Sequence, residues 1–319
     1  METDKPLISI LMAVYEPRMD WLREQLDSLN RQTYPNLRLY IRDDCSRTVP
    51  YEVIAAMVSE RITAIPFTIV RNENNLGSNG TFELLTNEAE GSFFAFCDQD
   101  DIWLEDRVES CYERLYKLNA GLCCSDVMPI DENGEIIADS ITAIRPRHIF
   151  KEGDGLAKEF IYRNFVIGCT MLIKSDIAKK AVPFPKSLVH DHYLAFFTAI
   201  DNSIAVVNRP LVRYRQHKNN QTGVLVNINS KRDYIEKHLM PFAERLEVCE
   251  KLLDYEDTKE AKSWLDARLK NARHEAGCIR ELWKLRNINK STTLFELIAL
   301  RLPEPLFRLA VRFVQSGRI

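Results

Sequence analysis

The sequence lacks several features that would assign it to a class at once. None of its eight cysteines belongs to a Cys-x-x-Cys pair, so the spacing of a structural zinc site is absent. The net charge is only −3, which gives no reason to expect a nucleic acid as a partner. No internal repeat or low-complexity tract interrupts the chain. What remains is 319 residues of ordinary globular composition, 45% hydrophobic and 28% charged.

Two further absences concern membranes and secretion. No apolar run is long enough to cross a bilayer, and the opening Met1 to Pro6 has neither the basic region nor the apolar core of a signal peptide. We therefore expect a cytoplasmic protein whose reducing surroundings keep its cysteines as free thiols. Several of these cysteines lie in apolar runs, where a thiol acts as a small hydrophobic group.

The first part of the chain alternates buried strands with helices joined by short loops. The pattern predicts strands over 7–14, 37–41, 67–70 and 93–97, and helices over 20–32, 51–61, 79–90 and 106–118. This alternation is typical of an α/β fold, a doubly wound and mostly parallel sheet with helices on both faces. Further strands are predicted over 122–125, 165–173 and 206–217, and residues 138–160 are interpreted as an acceptor-side loop.

Three carboxylates follow the predicted strand 93–97. Asp98, Asp100 and Asp101 repel one another unless a cation is present, and their hard oxygen atoms suit Mg²⁺ or Mn²⁺. Taken alone, the cluster equally fits an acidic cap, with Asp101 or Glu105 opening the helix 106–118.

Two other strand ends favour the metal interpretation. The first predicted strand is followed by Tyr15 and Glu16, and the second by Asp43 and Asp44. The carboxyl ends of parallel strands meet at one edge of a sheet, which is where ligands bind in such folds. Packing explains buried strands, but it gives no reason for two acid clusters at the same edge. The sequence therefore predicts a site for a metal ion and a diphosphate.

Five motifs in order resemble glycosyltransferase family 2. They are Ser9-Ile10-Leu11-Met12-Ala13-Val14-Tyr15-Glu16, the helix end Leu26 to Tyr34, Asp43-Asp44-Cys45-Ser46, Asn75-Leu76-Gly77 and Asp98-Gln99-Asp100-Asp101-Ile102-Trp103. The last motif is similar to the bacterial polysaccharide branch of that family, which includes rhamnosyltransferases. The resemblance covers roughly residues 7–220. It implies the GT-A fold, an inverting mechanism and a nucleotide-diphosphate-sugar donor of the dTDP-rhamnose or UDP-hexose type.

The resemblance also implies roles for individual residues. Asp44 would accept a hydrogen bond from the donor's pyrimidine base, with Tyr15 nearby. Asp100, supported by Asp98, would hold Mn²⁺ or Mg²⁺ against the diphosphate. Asp191 would act as the general base on the acceptor, a hydroxyl of a saccharide or a lipid-linked saccharide. Judged without the family, Asp191 is better explained as a helix cap.

The last predicted strand, 206–217, carries cationic side chains. The alternation of Leu211, Arg213, Arg215 and His217 predicts polar side chains on one face of an extended strand, where they could meet a diphosphate. The tract Tyr214 to Asn220 resembles the family's distal motif, whose histidine approaches the metal. The alternative is a solvated edge strand.

Three positions depart from the family's pattern. Glu16 stands where Asn is usual, Cys45 replaces a common Gly, and Thr81 falls where many members carry Asn. Two other functions stay open. A sugar-phosphate nucleotidyltransferase would need a glycine-rich loop after its first strand, where this chain has residues 13–18 without glycine. An inactive carbohydrate-binding protein on the same fold is disfavoured by the intact Asp98, Asp100 and Asp191.

From Ser230 onward the sequence is charged and mostly helical. Helices are predicted over 231–253, 258–286, 293–302 and 306–314, so we divide the chain into a transferase domain, 1–225, and a helical extension, 226–319. The tail 294–319 mixes apolar residues with four arginines against two glutamates. Such a segment can lie on an anionic membrane, which predicts peripheral attachment at the inner face of the plasma membrane. The alternative is a helix packed on the protein or on a second subunit.

Overall fold

The computed structural model describes residues 5–217, 225 and 227–315. It divides the chain into two compact units, Met1–Lys218 and Asn219–Ile319. The division between 225 and 226 predicted from the sequence lies a few residues further along, close to the stretch 218–224 that is outside the described residues.

The N-terminal unit is built on an eight-stranded sheet. Its strands are β1 Ile8–Val14, β2 Leu37–Asp43, β3 Phe67–Arg71, β4 Phe93–Cys97, β5 Ile102–Trp103, β6 Leu122–Ile130, β7 Leu172–Lys174 and β8 Ile204–Arg215. They lie in the order β3-β2-β1-β4-β7-β6-β8-β5. Strands β3, β2, β1 and β4 are parallel, β7 runs antiparallel to both of its neighbours, β6 and β8 are parallel, and β5 is antiparallel to β8. The sheet is therefore mixed, with the predicted parallel part at its N-terminal half.

The helices of this unit pack on both faces of the sheet. They are α1 Met19–Asn30, α2 Tyr51–Arg61, α3 Gly77–Glu88, α4 Arg107–Leu118, α5 Ile141–Ile144, α6 Ala157–Tyr162, α7 Ser175–Lys180 and α8 His190–Asp201. Each long helix buries an apolar stripe, as α1 does with Leu22, Leu26 and Leu29, all of them 0% exposed. The α/β fold with helices on both faces is thus confirmed, and the predicted bounds of α2 and β4 are reproduced.

One predicted strand is wrong. The apolar run 165–173 forms a 3-10 turn, Gly168–Thr170, before the short strand β7. A β-carbon on Gly168 would lie 3.4 Å from the β-carbon of Asp191, so this turn packs closely against the start of α8. The Thr170 hydroxyl donates to the carbonyl of Ile167 across this turn at 2.8 Å. Tertiary packing therefore overrides the strand propensity of the run.

The C-terminal unit is helical, as predicted. Its helices are α9 Lys231–Tyr234, which continues through a π-helical turn Ile235–Leu239 into α10 Met240–Glu250, then α11 Tyr255–Ala272, α12 Cys278–Lys284, α13 Lys290–Ala299 and α14 Glu304–Gln315. The long helix predicted over 258–286 is interrupted between α11 and α12, where Gly277 has a φ of +80° that favours glycine.

A buried ion pair links two helices of this unit. The Arg268 guanidinium on α11 donates to both carboxylate oxygens of Glu296 on α13, and Tyr234 donates to the same carboxylate at 2.8 Å. Arg268 also lies 4.3 Å from the centre of the Trp264 ring. Among the described residues, no helix of either unit is long and apolar enough to span a membrane.

Candidate active site

The acid clusters predicted at the strand ends do meet at one edge of the sheet. Val14, the last residue of β1, pairs with Asp43 in β2, and Met12 pairs with Cys97 at the end of β4. The residues that follow these strands are therefore neighbours in space. The backbone N–H of Asp44 donates to the Val14 carbonyl at 2.7 Å, which extends the pairing beyond the strands.

Asp101 is a structural acid of the loop after β4. It is 0% exposed, and its carboxylate accepts from the backbone N–H of Arg215 at 3.0 Å. Helix α4 begins at Arg107 after Asp106, so the alternative in which Asp101 or Glu105 caps this helix is wrong. The chain needs Asp101 to join the acidic loop to the end of β8.

Arg215 supports the same loop from behind. Its side chain is 1% exposed and pairs with Glu24, and its Nε donates to the Asp100 carbonyl at 2.9 Å. The guanidinium lies 5.1 Å from the centre of the Trp21 ring. Where the sequence predicted a contact with the diphosphate, the structure gives Arg215 a supporting position behind the acidic loop.

Asp100 and His217 come together as predicted for two ligands of one ion. His217 Nε2 lies 2.7 Å from Asp100 Oδ2, and the two side chains are 13% and 21% exposed. The imidazole stands 5.1 Å from the Trp21 ring, which helps to hold its orientation. Lys218 to Asn220, the rest of the predicted distal motif, lie outside the described residues.

Asp98 and Asp191 interact electrostatically although they come from distant parts of the chain. Burial, together with the charges of Asp100 and Asp191, raises the pKa of Asp98 to about 7. Burial also raises the pKa of Asp191 to about 6, against the lowering effect of backbone N–H groups of His192 and Gly168. Two carboxylates that hinder each other's ionisation are ready to accept a cation or a proton.

The start of α8 positions Asp191 near Asp98. The Asn79 side chain on α3 accepts from the backbone N–H of His190 at 2.8 Å and donates to the Leu188 carbonyl at 2.5 Å. The His190 ring stacks on Phe96, and burial lowers its pKa to about 3, so it is neutral. Val189 is the N-cap residue of α8, and Asp191 lies in the first turn, where its carboxylate accepts from the His192 N–H at 2.5 Å, so the structure is compatible with the helix-start alternative for Asp191 as well.

The loop after β1 is held by a side chain that sequence reasoning missed. Gln99, inside the acidic motif, accepts from the Tyr15 N–H at 2.8 Å and donates to the Tyr15 carbonyl at 3.0 Å. The Tyr15 ring is left 46% exposed at the edge of the site. Glu16 accepts from the backbone of Arg47 and Thr48, so this departure from the family's Asn ties the loops after β1 and β2 together.

Asp44 accepts three hydrogen bonds from the protein. Its Oδ1 receives Asn72 Nδ2 at 2.9 Å and the Leu76 N–H at 2.7 Å, and its Oδ2 receives the Gly77 N–H at 2.8 Å. A carboxylate offers about four acceptor positions, so Oδ2 keeps one for a ligand N–H. Asn72 also donates to Thr81 at 3.0 Å, which gives the unusual threonine a partner.

Arg213 and Cys169 complete the surroundings. Arg213 is an exposed side chain on β8, opposite Ile102 of β5. The Sγ atom of Cys169 lies within 4.8 Å of a carboxylate oxygen of Asp98 and of one of Asp101. Burial raises the pKa values of Cys169 and Asp101 well above their ordinary values, and the charges of neighbouring acids act in the same direction.

The residues at this edge fit a hard divalent ion. The mostly buried pair Asp100 and His217 and the neighbouring Asp98 offer oxygen and nitrogen ligands, and a bound cation would offset the burial and the neighbouring negative charges that raise the pKa of Asp98. The group of Asp98, Asp101 and Cys169 is also close enough for an ion. We prefer the first set, because the buried thiol and the buried Asp101 leave no room for substrate oxygens.

Other supporting residues had little sequence signal. Arg107, 0% exposed, donates to the carbonyls of Cys169 at 2.9 Å and Met171 at 3.1 Å, and so holds the turn before β7 against the acidic loop. An arginine in the first turn of an amphipathic helix suggests only a solvated charge. Gln99 lies inside the motif 98–103 and Asn72 just before the motif 75–77, but their partners could not be read from those motifs.

The mixed α/β sheet, the two acid loops at one edge and the third carboxylate from a later helix form the arrangement that the sequence resemblance led us to expect of a GT-A transferase. Residues 9–181 match the family model described as "Glycosyl transferase family 2", which is more than half of the chain. The chain therefore belongs to glycosyl transferase family 2 and is a nucleotide-sugar glycosyltransferase.

Relatives of known sequence agree with this assignment. An uncharacterized glycosyltransferase of Methanocaldococcus jannaschii is 29% identical over 67% of this chain and 72% of its own length. The dTDP-rhamnosyl transferase RfbG of Shigella flexneri is 26% identical over 69% of this chain and 76% of its own length. The glucosyltransferase WfgD of Escherichia coli, which is named for UDP-Glc and a GlcNAc-diphosphoundecaprenol acceptor, is 26% identical over 64% and 74%.

Two solved structures share the fold. TarS of S. aureus, residues 1–349, in complex with UDP-GlcNAc superposes with a TM-score of 0.60 at 15% identity, covering 97% of this chain and 92% of that one. The mannosyltransferase PcManGT of Pyrobaculum calidifontis, in complex with GDP-Man and Mn²⁺, gives a TM-score of 0.58 at 13% identity, covering 99% and 87%. At these identities the likeness establishes the GT-A fold.

Proposed function

We propose that this chain is an inverting, metal-dependent glycosyltransferase that acts in the synthesis of a cell-surface polysaccharide. The observation that carries the proposal is that two carboxylates from distant parts of the chain, Asp98 after β4 and Asp191 in the first turn of α8, are both partly buried and interact electrostatically. One acid cluster suits the donor's diphosphate, and an independent carboxylate suits the acceptor's proton.

The donor nucleotide would lie along the ends of β1 and β2. Asp44 keeps one acceptor position on Oδ2 for the N–H of a pyrimidine base, and the exposed Tyr15 ring is close to the same edge. Donors of the dTDP-rhamnose and UDP-hexose type fit this arrangement, and the names of the relatives RfbG and WfgD support them.

The diphosphate would lie over the acidic loop. Asp100 and His217 would hold Mn²⁺ or Mg²⁺, with Asp98 supporting, and the bound ion supplies positive charge that stabilises the departing nucleoside diphosphate. Arg213, exposed on β8, can reach ligand oxygens from solvent. Arg215 acts as a positioning residue, because its buried guanidinium fixes the backbone of Asp100.

Asp191 would carry the acid–base chemistry. It takes the proton from an acceptor hydroxyl as that oxygen bonds to the anomeric carbon, and the bond from that carbon to the diphosphate breaks in the same displacement. One displacement inverts the anomeric centre. A raised pKa near 6 makes Asp191 a stronger base than an exposed aspartate while it stays ionised at neutral pH.

The acceptor would be a saccharide or a lipid-linked saccharide at the inner face of the plasma membrane. All eight cysteines are free thiols, which agrees with a reducing cytoplasm. The relative WfgD is named for a lipid-linked acceptor, and this supports the lipid-linked class here. Peripheral attachment of the tail 294–319 is part of this proposal.

A donor screen tests the function. Nucleotide sugars with dTDP, UDP and GDP are added to the protein with Mn²⁺ or with a chelator, and the melting temperature is recorded. A donor at a hundred times its Kd should stabilise the fold by about 2.7 kcal/mol, and only with the metal. Proton NMR of the transfer product should show the opposite anomeric configuration. Stabilisation that is the same with the chelator, or a product of retained configuration, would contradict the proposal.

A further inference from the structure

The last helix of the chain exposes an apolar stripe. In α14, Phe307 and Val311 are buried, whereas Leu306, Leu309 and Phe313 are 49%, 63% and 48% exposed. The three exposed side chains follow the spacing i, i+3, i+7, which places them on one face of the helix. We call them the α14 stripe. Large apolar side chains grouped on a solvent face mark an interaction surface, since scattered exposed ones would not align.

A cleft of about 580 Å³ lies in the same unit, lined by residues of the α11–α12 connection, of α12 and of the end of α13. Trp283 and Ile279 form apolar walls and are 47% and 54% exposed. Arg280 and Arg301 bring two guanidinium groups to the lining. We call it the Trp283 cleft. Apolar walls with paired cations suit an amphiphile that carries a phosphate.

The cleft is ordered by contacts within the unit. Arg301 donates to the Leu297 carbonyl at 3.0 Å and to the thiol of Cys278 at 3.4 Å, so its guanidinium is held beside the cavity. Glu275, the carboxylate of the lining, has Arg273 as an ion-pair partner at 3.6 Å. Glu275 therefore does not neutralise the charges of Arg280 and Arg301.

The charge around the α14 stripe is positive. Arg301, Arg308 and Arg312 are exposed. Of the glutamates nearby, Glu296 is buried against Arg268, and Glu304 accepts from the backbone N–H of Lys231 at 3.1 Å. The whole chain has a net charge of −3, so the positive charge of this region is opposite in sign to the net charge of the protein.

We propose that α12, α13 and α14 form a docking surface for an anionic membrane. The Trp283 cleft takes the phosphate of an anionic lipid, and the α14 stripe lies at the boundary between headgroups and acyl chains. An amphipathic helix with cations beside its apolar face binds such an interface, and each cation contributes about fivefold to the partition coefficient. The inference deepens the proposed function, because a lipid-linked acceptor is presented at a membrane.

A second copy of the chain is a poorer occupant for this surface. A twofold contact would place the same patch on both sides, so two surfaces of the same positive charge would meet. Like charges brought together in a drying interface cost free energy, whereas an anionic leaflet supplies the opposite charge. Charge complementarity therefore favours the membrane.

Vesicle sedimentation of the full chain, without donor or metal, tests the inference. The chain is mixed with phosphatidylcholine vesicles that contain or lack phosphatidylglycerol, at low and high salt. Binding should require the anionic lipid and weaken with salt. The double variant Leu306→Ser/Leu309→Ser should lose about tenfold or more in partition, because both side chains leave the interface. Arg280→Glu/Arg301→Glu should lose binding to anionic vesicles by a similar factor.

Matched controls sit in the N-terminal unit. Tyr116, 73% exposed, and Lys180, whose side chain is 73% exposed, supply Tyr116→Ser and Lys180→Glu, which change the same kinds of group elsewhere. They should leave vesicle binding within about twofold, since isolated surface changes have small effects. Leu306→Ser/Leu309→Ser and both controls should keep the wild-type melting temperature, and Arg280→Glu/Arg301→Glu is compared below its own melting transition, because Arg301 also donates to Leu297 and Cys278.

Three outcomes would overturn the inference. The first is wild-type protein that stays in the supernatant with anionic vesicles at low salt. The second is a dimer, seen by light scattering, that Leu306→Ser/Leu309→Ser dissociates. The third is full competition by millimolar inorganic phosphate, which would make the cleft a site for free phosphate. Because no donor is present, an active enzyme that ignores vesicles contradicts this inference and the attachment of the tail but leaves the proposed transfer reaction standing, whereas a vesicle-bound chain without transfer contradicts only that reaction.

Discussion

Both units of the molecule bury acidic side chains, but in one unit the acid is paired with a cation and in the other the acids lie beside further acids. Glu296 in the C-terminal unit is 0% exposed and receives Arg268 and Tyr234 on its carboxylate. Burial alone would lower the pKa of Arg268, but Glu296 raises it. Asp98 and Asp191 in the N-terminal unit are partly buried beside other carboxylates, and their pKa values rise. Breaking a buried ion pair destabilises a fold, whereas acids that lie beside one another are typical of a site that binds a ligand.

Removing the central ligand should give the largest effect. Asp100→Ala should abolish transfer and the metal-dependent part of donor binding, because the site loses the oxygen that meets His217. The melting temperature without ligand should stay close to wild type, since the side chain supports little packing. Transfer assays and donor titrations with and without Mn²⁺ measure this. Asp139→Ala, a change at another acid of the unit, serves as the control. Wild-type affinity for donor and Mn²⁺ in Asp100→Ala would show that the metal lies elsewhere.

The base should rank next. Asp191→Asn should keep donor binding and lose about a hundredfold or more in kcat, the scale of general-base loss. The amide can still accept from the His192 N–H, so the start of α8 is preserved. Single-turnover rates at saturating donor measure the effect. Full activity would leave Asp191 with a purely structural role.

Changing the paired acid, Glu296, should lower the stability of the protein and leave the catalytic rate unchanged. Glu296→Gln leaves Arg268 as a buried charge without its counterion and should destabilise the C-terminal unit by about 3–5 kcal/mol. The matched change Glu281→Gln breaks the exposed pair with Lys270, whose side chains are 48% and 42% exposed, and should cost less than about 1 kcal/mol. Thermal unfolding of both variants compares them. Equal losses would mean that burial does not distinguish the two pairs.

The smallest effect is a change of stability with pH. Because the folded-state pKa of Asp191 lies near 6, above its ordinary value, the folded state binds more protons than the unfolded state between about pH 4 and pH 6. Stability from this group is therefore present at low pH and is lost as the pH rises through 6. Asp191→Asn should melt about 2–4 °C higher than wild type at pH 7.5, with the difference vanishing near pH 4. A variant that melts lower at pH 7.5 would contradict the raised pKa.

The same pKa sets an acid limit on the rate. Asp191 must be ionised to accept a proton, so kcat at saturating donor should fall about tenfold per pH unit below 6. A rate that is flat down to pH 4.5 would exclude Asp191 as the titrating base.

Local patterns predicted the elements whose signals are local. The strand 93–97 and the helix 51–61 follow from apolar runs and turn residues, and the structure reproduces both bounds. Because β1, β2 and β4 are parallel, the sequence also implied that Asp44 and the Asp98 cluster share one edge. The distal His217 was assigned through the family resemblance, and the structure places it beside Asp100.

What the sequence by itself determined is the fold class, the family and the edge at which the acids collect, since periodicity and short motifs carry that information. Tertiary structure alone decided the rest. It formed a 3-10 turn within 165–173, buried Arg215 behind the acidic loop, and brought Asp191 within electrostatic reach of Asp98. The reason is physical: burial, and with it each pKa, depends on side chains that arrive from distant segments, and no local pattern records which segments will meet.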